Sequence, residues 1–147
     1  AILKQMPIIS FKIIKQNSKM SIPVQDNILA KVVELTYTAW DLEPFAQDIL
    51  KEISEETWNR WFPHNPLING KPQPFIWNDE WRAILRAELD AIYAELYGLS
   101  REELEYILTT FPVLQKNEEG KFGEYITRKL VLKAWDAMEK EKKSSES

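Results

Sequence analysis

The residues in this chain that could do chemistry are mainly carboxylates, and most of them stand where helices favour them. Asp79 and Glu80 open a segment with helical periodicity, and three acids between residues 102 and 105 open another. Negative charge is favourable there because the first backbone N–H groups of a helix lack partners. Arg86 and Asp90 are four residues apart, which predicts an ion pair on a helix surface. Helix capping and surface pairing are therefore the favoured interpretation of these acids.

Other catalytic or cofactor-binding arrangements find little support. Cysteine is absent, and the single histidine, His64, lies in a proline-rich stretch with no second metal ligand beside it. We expect His64 to be an exposed loop residue. No glycine-rich turn follows a predicted strand, so dinucleotide and P-loop sites are unsupported. A Mg²⁺-dependent nuclease core would need acids and a lysine on adjacent strands, whereas the acids here fall on predicted helices.

A basic cluster is the best candidate for a binding function. Arg128, Lys129 and Lys133 lie on the last predicted helix, and Lys116 and Lys121 precede it. Three acids, at positions 118, 119 and 124, interrupt the cluster. A solvated helix surface is the common use of such residues, and contact with the phosphate backbone of DNA is the functional alternative.

Charge is distributed unevenly along the 147 residues. Residues 1–25 carry +4, residues 26–110 carry −9 and residues 111–147 carry +1, which sum to the net charge of −4. An acidic total argues against a strongly basic, free-standing nucleic-acid binder. If DNA is bound, we expect the contact at the two ends of the chain. Lys4 and Lys12 would contact it from the N-terminal end, and the cluster at positions 116–133 from the C-terminal end.

The chain is predicted to be mainly α, with about five helices packed as an irregular bundle and a short extended N-terminal arm. Ile and Phe enrichment with Pro7 predicts the arm over residues 1–25. A helical domain is predicted over residues 26–139, followed by a disordered tail over 140–147. The predicted helices span, approximately, residues 26–40, 44–62, 79–97, 100–111 and 123–139.

The connections follow from proline, glycine and charge. Four prolines and a glycine between residues 63 and 74 predict a loop, and the charged stretch 115–121 predicts another. Gly98 is placed to end the third helix, and Ser100 with Glu103 forms a capping box for the fourth. Most of the six tryptophans are expected in the core, although one of Trp58 and Trp61 could be exposed.

Several segments, in order, resemble the C-terminal region of bacterial DNA adenine-N6 methyltransferases and of type IIG restriction-modification enzymes. The segments are LKQMPI at 3–8, VELTYTAWDLEPFA at 33–46, PFIWNDEWR at 74–82, LRAELDA at 85–91, LYGLSR at 96–101 and FGEYITRKLVLKAWDAM at 122–138. The sequence departs from the family pattern at Asn78 and Trp81, where Asp and Arg are usual. Residues 51–73 are also longer than the family's link.

The resemblance implies a piece of a longer S-adenosylmethionine-dependent methyltransferase, with or without a fused nuclease. It also implies that residues 1–25 are the end of a target-recognition region. The family's Asn-Pro-Pro-Tyr motif is not in these residues, so we expect the fragment to be non-catalytic and to bind no cofactor itself. S-adenosylmethionine, and Mg²⁺ for a nuclease, would belong to the parent. The implied partners are DNA, reached through the parent, and the upstream methyltransferase and target-recognition domains.

Two functions of different classes remain open from the sequence. One is a helical module that supports target recognition or DNA binding, and the other is an interaction module that docks the methyltransferase on another subunit. A contiguous positive surface would favour the first function, and an exposed aromatic patch without basic residues would favour the second. A cytoplasmic location and no membrane contact are expected, because no apolar run approaches the roughly 20 residues that span a bilayer.

Overall fold

The computed structural model describes residues 22–146, with side chains over residues 24–144, and this part of the chain is mainly α-helical. The predicted fold class is confirmed. Seven α-helices are present and no strand is formed among these residues, apart from one isolated bridge between Ile68 and Lys71. The helices are α1 (Ile22–Thr36), α2 (Glu43–Ile53), α3 (Glu55–Trp61), α4 (Asp79–Leu96), α5 (Arg101–Leu108), α6 (Pro112–Phe122) and α7 (Ile126–Glu146).

The described residues divide into two compact units. One helical domain over residues 26–139 stays a prediction. We call residues 22–78 the N-terminal unit and residues 79–146 the C-terminal unit. The predicted arm over 1–25 falls mostly outside the described residues. Its last part, residues 22–25, is the start of α1, because Pro23 fits a first helical turn where the N–H it lacks would have no partner.

The N-terminal unit is built on aromatic packing. The Trp58 ring lies 5.0 Å from the Phe62 ring, and Phe62 lies 4.8 Å from Phe75, both edge-on, which is a favoured geometry for aromatic pairs. All three side chains are buried. Apolar residues from α1 and α2 are buried in the same unit: Ile28, Leu29, Val32, Val33, Phe45, Ala46, Ile49 and Leu50.

The predicted loop after α3 is fixed by specific hydrogen bonds. The Tyr37 hydroxyl donates to the carbonyl of Pro72 at 2.9 Å, and the Phe75 N–H donates to the Tyr37 carbonyl at 2.8 Å. The Asn65 amide donates to the Gln73 carbonyl at 2.8 Å. Since the Tyr37 carbonyl is used by the loop, α1 ends at Thr36, whereas the sequence pattern predicted a helix through Trp40.

The C-terminal unit surrounds a second core. Gly98, at φ +75°, allows the turn after α4, and the predicted capping box of Ser100 and Glu103 is formed at the start of α5. The main helix pair is α4 with α7. The core cluster consists of Ala87, Ala91, Ala94, Leu104, Leu108, Tyr125, Val131, Leu132 and Trp135.

One break and one extra helix explain why there are seven helices rather than about five. The predicted helix over 44–62 is divided at Ser54, which has φ +89° and caps α3 by accepting the Thr57 N–H at 3.3 Å. The segment 115–121, predicted as a charged loop, belongs to α6. Pro112 begins this helix rather than only ending the previous one, since proline is favoured in the first turn.

The last helix is longer than predicted. Residues 140–146, expected to be a disordered tail, continue α7 to Glu146. An ion pair between Lys142 and Glu95 joins this part of α7 to α4, and Lys142 also lies 3.8 Å from Glu139. These contacts stabilise the helical form of residues 140–146, for which the polar composition alone predicted a disordered end.

Candidate nucleic-acid interface

The predicted basic residues of the C-terminal unit are all exposed on α6 and α7. Lys116 and Lys121 lie on α6, and Arg128, Lys129 and Lys133 lie on the first half of α7. The other two predicted DNA contacts, Lys4 and Lys12, lie outside the described residues. The structure thus brings five of the seven predicted residues into one compact unit.

The start of α7 is fixed by a side chain from α6. The Glu118 carboxylate accepts hydrogen bonds from the Thr127 backbone N–H at 2.8 Å and from its hydroxyl at 2.7 Å. A carboxylate here satisfies an unpaired N–H group and interacts favourably with the helix dipole. Between the two helices, Gly123 adopts φ +82°, a left-handed conformation that allows the turn after α6. Glu118, which interrupted the basic cluster in the sequence, is therefore a capping residue that orients α7.

Two of the predicted cations are already paired with acids. Arg128 lies 3.7 Å from Glu105, and Lys129 lies 3.3 Å from Glu124. Both pairs are largely exposed, so each is weak and can exchange for another anion. Lys121 lies 5.2 Å from the centre of the Phe122 ring.

Arg101 and Asp136 connect the start of α5 to the middle of α7. Arg101 Nε donates to Asp136 Oδ1 at 2.8 Å, and a second guanidinium nitrogen lies 3.2 Å from Oδ2. The hydrogen bond from Arg101 lowers the pKa of Asp136 below its ordinary value, and the same bond raises the pKa of Arg101. Asp136 is therefore held as a carboxylate, and Arg101, which also forms an ion pair with Glu105, supplies positive charge to both acids.

Two further lysines, not selected from the sequence, have defined positions on α7. Lys140 and Lys143 lie in the segment predicted as a disordered tail, but they occupy helical positions and their side chains are exposed. Within the described residues, Lys133, Lys140 and Lys143 form no ion pair. The sequence feature that could have identified these two lysines is the Glu and Lys content of residues 139–143. Both residue types favour a helix, so the last helix could have been extended through residue 143.

The acids considered for chemistry lie at helix positions. Asp79 and Glu80 are in the first turn of α4, as predicted. The surface position predicted for the Arg86 and Asp90 pair is wrong, because Asp90 is only 4% exposed. Arg82 and Leu89 on α4 are buried together with Asp90. Burial lowers the pKa of Arg82. Arg82, Arg86 and Asp90 thus lie on a largely buried helix face, whereas Asp79 and Glu80 are exposed.

The tryptophan side chains differ in their exposure to solvent. Trp58 and Trp135 are buried, Trp61 is half-buried, and His64 is exposed in its loop as predicted. Three tryptophans are exposed, namely Trp40, Trp77 and Trp81. Lys71 Nζ lies 5.0 Å from the centre of the Trp40 ring and 3.6 Å from Glu43. The exposed indole of Trp40 thus already has a cation beside it.

No three His, Cys, Asp or Glu side chains within the described part of the chain are grouped so that they could hold a metal ion. None of the helices over residues 22–146 combines the length and apolarity required to cross a bilayer. Comparison of the chain with protein-family models, with curated proteins and with solved structures gives no match. The exposed cations of α6 and α7 remain the feature with the clearest functional interpretation.

Proposed function

We propose that this chain is a non-catalytic helical module of a bacterial DNA restriction-modification methyltransferase, and that it supports DNA binding or target recognition by the parent enzyme. The parent would supply the S-adenosylmethionine site, and a Mg²⁺ site where it carries a nuclease. The parent would act in the cytoplasm. Support comes from the ordered resemblance, of which the segments at 85–91, 96–101 and 122–138 lie in the C-terminal unit.

The observation that carries the DNA-binding role is the exposure of the cluster on α6 and α7. Lys116, Lys121, Arg128, Lys129 and Lys133 all face solvent in one unit. Phosphate contacts by such residues would position the module on DNA without reading its sequence. The acidic surface over residues 26–110 would repel phosphates, which would confine the contact to this region and to the N-terminal lysines.

A titration with labelled duplex DNA tests this role. We expect weak binding of equal strength to two unrelated duplexes, falling steeply between about 50 and 200 mM salt because phosphate contacts release counterions. Binding to only one duplex would indicate base readout and contradict the proposal. The absence of binding at low salt would remove the DNA-binding role.

A second assay tests the non-catalytic part. The purified chain, incubated with DNA and labelled S-adenosylmethionine, should transfer no label, and with Mg²⁺ it should not cut DNA. Heat-denatured protein is the control for background. Reproducible transfer or cleavage by the pure chain would overturn this part of the proposal.

A docking role on another subunit is the second candidate. It is favoured by exposed apolar side chains in the N-terminal unit, among them Ile76, which is 91% exposed, Trp77 at 59% and Ile68 at 58%. In the parent enzyme, the double substitution I68S/I76S should weaken association of the methyltransferase with its partner subunit and leave DNA binding unchanged. Equal association of variant and wild type would exclude this surface.

A further inference from the structure

We propose that the outer face of α7 binds the phosphate backbone of duplex DNA through a stripe of four lysines, Lys129, Lys133, Lys140 and Lys143. This inference rests on the proposed function and gives it a defined surface. Two of the four lysines, Lys140 and Lys143, come from the segment whose helical structure the sequence did not predict.

The four lysines share one side of the helix. At 3.6 residues per turn, positions 129, 133, 140 and 143 fall within an arc of about 80°, and at 1.5 Å per residue they extend over about 21 Å. All four are exposed. Val131 and Met138 project from the opposite side of α7, where Val131 is in the core and Met138 packs against it. The core therefore fixes the rotation of α7 that presents the stripe to solvent.

The charge of the stripe is almost entirely positive. The acid within the arc is Asp136, and Arg101 from α5 holds it with two contacts of 2.8 and 3.2 Å. Lys129 lies 3.3 Å from Glu124, but its side chain is still 63% exposed, so a phosphate can replace that partner. The other three lysines form no ion pair within the described residues.

The dimensions and surroundings of the stripe fit a rigid polyanion. Phosphates succeed one another about every 3.4 Å along the axis of each DNA strand, so a stripe of about 21 Å can meet several of them. A membrane-surface helix would instead need an apolar face free to enter the lipid. The apolar face of α7 is occupied by the core of its own unit, which favours duplex DNA over a lipid surface.

The decisive experiment compares two double variants that lose the same charge. K133Q/K140Q alters the stripe, and the control K51Q/R60Q removes two exposed cations from the N-terminal unit. Against a labelled duplex at about 50 mM salt, the stripe variant should bind about tenfold more weakly and its log–log salt slope should fall by about 2. The control should bind like wild type. Circular dichroism and melting curves establish that both variants are folded.

A measurement on the wild type provides a second test without mutation. Acylation of lysines followed by mass spectrometry should show DNA-dependent protection of Lys129, Lys133, Lys140 and Lys143, with no protection of Lys51. Wild-type binding that survives in K133Q/K140Q, without protection of the stripe, would overturn the inference while leaving the DNA-binding function intact. No wild-type binding to DNA, or preferred binding to vesicles with about 30% anionic lipid, would overturn both.

Discussion

Arg101 Nε donates a 2.8 Å hydrogen bond to Asp136 Oδ1, and the two residues come from the first turn of α5 and the middle of α7. They are separated by 35 positions in the chain. The pair places a compensating positive charge beside the acid that lies within the lysine stripe of α7. Arg101 is thus able to affect the potential of the stripe without belonging to it.

This relationship predicts that Arg101 influences DNA binding indirectly. R101Q should weaken binding because it removes the positive charge paired with Asp136 and Glu105, whereas D136N should maintain or strengthen binding. The double variant R101Q/D136N has the net charge of the wild type and should bind like it. Fluorescence titration with a labelled duplex measures all three, and K51Q controls for the loss of one positive charge elsewhere. Equal binding by R101Q and K51Q would contradict the idea.

The same pair predicts an acid-dependent contribution to stability. Because the folded pKa of Asp136 is lowered below 3.8, the stabilisation is fully present above that value and is lost as the pH falls through the lower folded pKa. The melting temperature of wild type should therefore exceed that of D136N at about pH 6, and the difference should disappear near about pH 2. A difference that persists at low pH would show that charge is not the cause.

The aromatic core of the N-terminal unit predicts a large effect at Trp58. Its side chain is fully buried and packs edge-on against Phe62. W58A should lower the free energy of unfolding by about 3–5 kcal/mol, because it removes a large buried surface and leaves a cavity. Urea titration followed by circular dichroism measures the loss. I76A, at a site that is 91% exposed, is the matched control and should change stability by less than about 0.5 kcal/mol.

Glycines in the C-terminal unit predict effects of opposite sign. Gly120 lies inside α6, and an added Cβ would meet nothing within 4 Å, so G120A should stabilise the protein by about 0.5–1 kcal/mol. Gly123 has equal space but φ +82°, which a side chain rarely adopts. G123A should therefore destabilise. Thermal melts of the two variants measure both signs, and a stabilising G123A would contradict the conformational explanation.

The cap between α6 and α7 predicts a moderate effect at Glu118. E118A removes the acceptor of both Thr127 hydrogen bonds and should cost about 1 kcal/mol, as for other helix caps. E119A is the control, since that exposed side chain makes only a 3.4 Å contact with Gln115. Chemical denaturation compares the two variants. Equal losses would mean that capping does not set the stability of α7.

The sequence by itself determined the helical class and the features that depend on neighbouring residues. The capping box at Ser100 and the stop at Gly98 were predictable, because both depend on backbone groups within a few positions. The amphipathic periodicity of α4 and the exposed loop position of His64 followed in the same way. The cations at positions 116–133 could be chosen, since exposure is the usual state of lysine and arginine.

Only the tertiary structure decided which of those charges are compensated and where the helices end. The end of α1 depends on a bond from Phe75 to Tyr37, and the continuation of α7 is supported by the Lys142–Glu95 pair. Glu118 was an interruption of the basic cluster in the sequence and is a cap in the fold. Each of these outcomes depends on atoms distant along the chain, which periodicity and composition cannot bring together.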